Sequence, residues 1–154
     1  AQETLHPTII SHGYSEGFTE EFDWTGTRDW SAALALPDAI AFHARLGGVE
    51  LMAANRALAR TSAEKLASRF GTGLANPPEL EAAMSMIELP WPGDAGEARA
   101  LSARVMFYEL GCDVPVMSVG GRLWLRISAQ AYNLPTDFDR LGDLVEMLGQ
   151  RSAA

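Results

Sequence analysis

The chain has 154 residues, of which 47% are hydrophobic and 21% charged, and it carries a formal net charge of −8. This is enough polypeptide for one sizeable domain or for part of a larger enzyme, with an ordinary globular composition. The acidic balance argues against nucleic acid and anionic lipid as partners, because both require a basic face. No run approaches a membrane span, and the single cysteine, Cys112, excludes an intrachain disulfide and a cysteine-built zinc site.

The opening Ala1-Gln2-Glu3-Thr4 has neither the basic region nor the apolar core of a signal peptide, so a cytoplasmic chain is expected. No initiator methionine stands there, which leaves processing or cleavage from a longer polypeptide open. Thr8 to Ser11 reads as a short strand running into a glycine-rich loop, His12 to Phe18. Thr19 to Trp24 mixes acids and aromatics without a clean period and receives no assignment. A loop this long in a compact protein is functional or leans on a partner. Ala32 to Leu46 is helical, broken or restarted at Pro37, and Gly47-Gly48 ends it.

Val49 to Phe70 is the longest helical candidate, with Leu51, Leu58, Leu66 and Phe70 on one stripe and Gly71 as its stop. Ala83 to Leu89 reads as a strand closed by Pro90-Trp91-Pro92-Gly93. Asp94 caps an expected helix over 95–110 with Leu101, Val105 and Tyr108 on its apolar face. Val114 to Val119 is a strand that Pro115 assigns to an edge or a late start. It pairs through Gly120-Gly121 with Arg122 to Ser128, a strand of strict alternation. Thr136 and Asp139 resemble a capping box at the head of a last helix carrying Phe138, Leu141, Leu144, Val145 and Leu148.

The expected fold is therefore α+β: a small, mainly antiparallel sheet with helices on one face over residues 49–154. Residues 1–48 supply a strand, a long loop and a broken helix, and read as a strip belonging to a larger neighbour.

Two features can carry chemistry. In the alternating strand, Leu123, Leu125 and Ile127 fall on one face, and Arg122, Trp124, Arg126 and Ser128 on the other. An arginine fixed at the centre of a half-buried strand suits two-pronged binding of a carboxylate. The simpler reading is a guanidinium lying over Trp124 with a surface carboxylate nearby. The second feature is Gly26-Thr27 ahead of a helix: close approach, a hydroxyl and a helix N-terminus together suit a phosphate, although the same pattern is also ordinary capping. Cys112 is either a nucleophile or a small buried residue. Lys65, the only lysine, reads as a solvated helix residue, and His43 as a packed or partly exposed one. His6, His12 and His43 show no metal-like spacing, so no metal site is expected.

Phe22-Asp23-Trp24-Thr25-Gly26-Thr27-Arg28-Asp29, together with Leu125-Arg126-Ile127-Ser128 and Tyr132-Asn133, resembles the class V aminotransferases, fold-type I enzymes that use pyridoxal 5′-phosphate. The Trp-x-Gly-Thr-Arg-Asp form is most similar to the isopenicillin N epimerase-like branch. The resemblance runs over nearly the whole chain but only over the C-terminal part of the family's length. It implies that Thr27, with Gly26 beside it, reaches the cofactor phosphate of the other subunit of a homodimer. It also implies that Arg126 binds the substrate's α-carboxylate, with Ser128, Tyr132 and Asn133 as scaffold. The family's cofactor-bearing lysine belongs to an upstream segment and has no counterpart here, since Lys65 lies on another element. The resemblance thus implies a C-terminal portion that supplies no catalytic residue of its own and depends on an N-terminal cofactor-binding segment or partner chain. The competing expectation is a non-catalytic α+β module that binds a partner chain or a small carboxylate.

Overall fold

The computed structural model describes residues 2–93 and 95–152, with side chains described as far as Gln150. Contacts divide it into two compact units, Ala1–His43 and Ala44–Ala154.

In the first unit a short 3₁₀ turn at Gln2–Thr4 precedes the helices α1 (Phe18–Asp23) and α2 (Ser31–Leu34), and α3 (Leu36–Arg45) starts within it. The strand expected at Thr8 to Ser11 does not form, and Ile9 and Ile10 are exposed. A strand is held by its ladder partner, and no strand lies among this unit's described residues. The unassigned stretch at 19–24 is instead mostly helix α1, and it buries Glu21. Pro37 sits in the first turn of α3, where its missing N–H is harmless. Gly13 is obligatory: a Cβ there would meet the carbonyl oxygen of Glu20 at 2.1 Å.

The second unit is α+β. The helix α4 spans Val49–Phe70 and ends at Gly71, whose φ of 67° lets its N–H reach back to the last turn. Strand β1 (Met84–Glu88), helix α5 (Glu97–Glu109), strands β2 (Val116–Val119) and β3 (Arg122–Ser128), and helix α6 (Pro135–Ser152) follow. The sheet is antiparallel in the order β1-β3-β2, so the arginine strand is central and Pro115 precedes an edge strand, as its missing N–H demands. Gly120 and Gly121, at φ 59° and 72°, form the tight turn between β2 and β3.

Register puts Ile87, Val116, Leu123, Leu125 and Ile127 on one face. There they join the core with residues of α4, α5 and α6. Helix α4 lies against β1 and β3, α5 against β2, and α6 against α4. Two faces differ from expectation. The buried side of α4 is mainly small, with Asn55, Ala59, Ser62, Ala63, Leu66 and Ala67, while Leu58 and Phe70 are only partly covered. Helix α5 buries Ala100, Ala103 and Phe107 and turns Leu101, Val105 and Tyr108 to solvent. In both helices short side chains permit close approach to the sheet, and this outweighs the apolar count of the bulkier stripe. The cap expected from Asp94 lies outside the described residues. The expected Thr136/Asp139 box is replaced by Asp137, whose carboxylate accepts the Leu134 N–H at 2.9 Å, while Asp139 pairs with Lys65 at 2.5 Å.

Helix α6 carries two glycines for packing. A Cβ at Gly149 would stand 2.8 Å from the indole nitrogen of Trp91, which donates to the Val145 carbonyl at 3.1 Å and stacks on Phe107. Gly149→Val is therefore expected to destabilise the fold by roughly 1–3 kcal/mol through overpacking. Urea unfolding followed by tryptophan fluorescence measures this, and an unchanged midpoint contradicts it. Among the described residues no helix is long and apolar enough to cross a membrane.

Candidate functional site

Arg126 stands at the middle of β3, directly opposite Met86 on β1, and its backbone N–H donates to the Pro115 carbonyl at 3.0 Å. Register places Met84, Met86, Glu88, Met117, Val119, Arg122, Trp124 and Ser128 on this same open face. Arg122 is held by Glu88, Nη1 to Oε2 at 2.9 Å. Trp124 is half-buried, and its indole N–H donates to the Val119 carbonyl at 3.2 Å. No acid holds Arg126: among the described residues its guanidinium has no carboxylate partner, and its Nε is buried without any hydrogen bond. The nearby surface carboxylate of the simpler sequence reading is thus spent on Arg122. The stacked guanidinium–indole pair lies elsewhere, with Arg28 3.8 Å over the Trp30 ring.

Arg126 borders a cleft of about 200 Å³ between the strand end and the head of α6, which Ile127, Phe138 and Leu141 line from the core side. Its other walls include Cys112, Asp113, Ser128, Asn133 and Asp137. A buried guanidinium nitrogen without an acceptor is costly unless an anion completes it. A carboxylate is the ligand whose two oxygens match that fork. Burial pushes the Cys112 thiol up, with Arg140 opposing and Asp113 adding to the shift, and the partly buried side chain packs against the core.

Sequence reasoning missed a support beneath this cleft. Asn55, 8% exposed on α4, donates from Nδ2 to Gln130 Oε1 at 2.8 Å across 75 residues. Gln130 also accepts the Ala131 N–H at 2.8 Å, and Asn133 Oδ1 accepts the Gln130 N–H at 3.0 Å. The available signal was Asn55 itself, a polar residue in helical phase with Ala59, Ser62 and Leu66. Tyr132, in the same motif, is 80% exposed.

Gly26 and Thr27 lie in the first unit, in the loop between α1 and α2. Gly26 has φ 87°, a conformation that L side chains rarely adopt. Thr27 is exposed, and among the described residues its hydroxyl has no partner. At the helix start that was expected to offer free N–H groups, that of Ser31 is already taken. Asp29 Oδ1 accepts both the Ser31 N–H at 2.8 Å and the Ser31 hydroxyl at 2.5 Å, and these two bonds hold its carboxyl below its usual value. What remains for an anion here includes the Thr27 hydroxyl beside a glycine. In the same unit Glu21 is buried, accepting from His6 Nδ1 at 2.7 Å and the Ser15 N–H at 3.2 Å.

For pyridoxal phosphate, these residues fit the periphery. An unpartnered hydroxyl suits its phosphate, and an unpartnered guanidinium suits the carboxylate of an amino acid. Lys65, the only amine on a side chain, is exposed and paired with Asp139.

The chain is 32% identical to an L-cysteine desulfhydrase of Arabidopsis thaliana, over 96% of its own length and 37% of that protein's. It is 35% identical to isopenicillin N epimerase of Streptomyces clavuligerus, over 80% of its own length and 30% of that protein's. The isopenicillin N epimerase of Amycolatopsis lactamdurans matches at 35%, over 81% and 31%. The chain thus spans about a third of the length of the curated relatives it matches. No family model matches it. Its homologues are L-cysteine desulfhydrases and isopenicillin N epimerases, the second being the branch that the Trp-x-Gly-Thr-Arg-Asp element resembles.

Proposed function

We propose that this chain is the C-terminal portion of a pyridoxal phosphate-dependent enzyme of the class V aminotransferase group that acts on an amino acid. The observation that carries the reading is the guanidinium of Arg126, fixed on the central strand with a buried nitrogen and, among the described residues, no acid to neutralise it. Its task is to bind the α-carboxylate and so orient the α-carbon. Thr27 donates its hydroxyl to the cofactor's phosphate, in a homodimer from the neighbouring copy. When bound, the cofactor supplies the electron sink that stabilises negative charge at the α-carbon. The amine that holds it and moves the proton comes from polypeptide other than these residues, since Lys65, the only lysine, is exposed on α4 and does not border the cleft beside Arg126.

Relatives named for desulfhydration and for epimerisation both act on a substrate with an α-carboxylate, which is the group Arg126 is placed to hold. The alternative of a self-contained, non-catalytic module is less favoured. The large side chains Ile10, Trp24, Trp30, Leu34 and Phe42 of residues 1–48 are exposed rather than gathered into a core of their own.

Calorimetry tests the carboxylate site on the chain by itself. Propionate is expected to bind wild type weakly and saturably, on the order of millimolar, and to lose that binding in Arg126→Met. Equal binding by the two proteins removes the assignment.

A further inference from the structure

We infer that Asn133 supplies a second donor for the carboxylate held by Arg126, oriented by a relay from Asn55 through Gln130. This rests on the carboxylate reading of Arg126 and assigns a binding role to a residue whose motif position suggested only scaffold.

The amide orientations follow from chemistry. A backbone N–H can only donate, so the atom of Asn133 that meets the Gln130 N–H at 3.0 Å is its oxygen. The NH₂ of Asn133 is then turned to the other side, and its donors have no partner among the described residues. Asn133 is half-buried and borders the same cleft of about 200 Å³ as Arg126 and Ser128. The same logic fixes Gln130: its Oε1 takes the Ala131 N–H at 2.8 Å, so the Asn55 atom 2.8 Å away must be the donor nitrogen. A buried residue of α4 thus pins the turn that carries Asn133.

Two residues that border the cleft therefore carry unspent donors, a guanidinium and a primary amide. A carboxylate with four lone-pair sites accepts from both. Two acids border the same space. Asp137 is engaged by the Leu134 N–H at 2.9 Å, and Asp113 is exposed at the rim. Their charge opposes an incoming anion, which makes the second donor more consequential.

The test is nuclear magnetic resonance on the ¹⁵N-labelled chain, with propionate as the probe. The Arg126 Nε–H and Asn133 side-chain NH₂ signals are expected to move along one saturation curve. Asn133→Asp keeps an oxygen for the Gln130 N–H, removes the donor and adds a charge that itself opposes the anion. It should retain the wild-type thermal midpoint and weaken propionate by about 10- to 100-fold at pH 7, as expected for loss of a bond to a charged group. Asn55→Leu, which frees the turn, should reduce the Asn133 response while leaving that of Arg126 in place. Asn133→Ala, which removes the donor without adding a charge, should weaken propionate as well and isolates the donor's share. Movement of Arg126 alone, or undiminished binding by the Asn133 variants, overturns the second donor and leaves the arginine reading standing. If the Arg126 signal itself stays still, both are lost.

Discussion

Replacing Arg126 by methionine in the complete enzyme is expected to raise KM for the amino acid by roughly 30-fold to several thousand-fold, with a much smaller change in kcat. The range corresponds to the 2–5 kcal/mol typical of removing one partner from a desolvated charge pair. The split between the two constants follows from where the interaction acts. A carboxylate remote from the reacting bonds is held equally in the ground and transition states, so its loss appears as uniform binding. The control lies on the same face of the same strand. Arg122 is 61% exposed and already neutralised by Glu88 at 2.9 Å, so Arg122→Met should leave KM within about twofold. Steady-state kinetics on the two variants decides the matter: similar behaviour of both contradicts a specific role for Arg126.

Phe107→Ala is expected to be among the most damaging changes to stability, at about 3–5 kcal/mol, whereas Tyr108→Ala should stay within about 0.5 kcal/mol. Phe107 is fully buried and stacks on Trp91 with ring centroids 6.0 Å apart; its neighbour Tyr108 is 71% exposed. The first substitution opens a cavity where α5 meets the core, and the second removes a side chain that touches water. For a chain of this size the difference should appear as a fall in Tm on the order of 10 °C for Phe107→Ala alone. Equal losses in both variants would show that α5 buries the face carrying Leu101, Val105 and Tyr108 instead.

That pair of residues also marks what the sequence could not reveal. Helix α4 was legible because glycines bracket it, and β3 because its alternation is strict and a Gly-Gly turn precedes it. The orientation of α5 was not, because apolar periodicity counts bulk. Packing here selected Ala100 and Ala103, whose short side chains bring the helix close to β2. Helix α1 was missed because six residues rich in acids and aromatics carry no period, and the strand expected near Ile9 lacked a partner.

The site divides in the same way. Alternation alone located Arg126 on the open face opposite Leu125 and Ile127. Its lack of an acid among the described residues could not be read from sequence, because Glu88 is 34 residues from Arg122 and only the sheet decides which arginine it serves. The bond from Asn55 to Gln130 spans 75 residues and leaves no local trace beyond a polar residue in an apolar phase. Thr27 was singled out by its Gly-Thr pattern, but one N–H of the helix start beside it proved to be taken by Asp29.

The central claim is that these residues bind the substrate and the cofactor's phosphate while the reactive amine comes from other polypeptide. Borohydride reduction of the working enzyme, followed by peptide mass mapping, tests it most directly. The cofactor's mass is expected on a lysine outside these 154 residues, with Lys65→Arg retaining activity. A label on Lys65, together with loss of turnover in Lys65→Arg, would contradict the account.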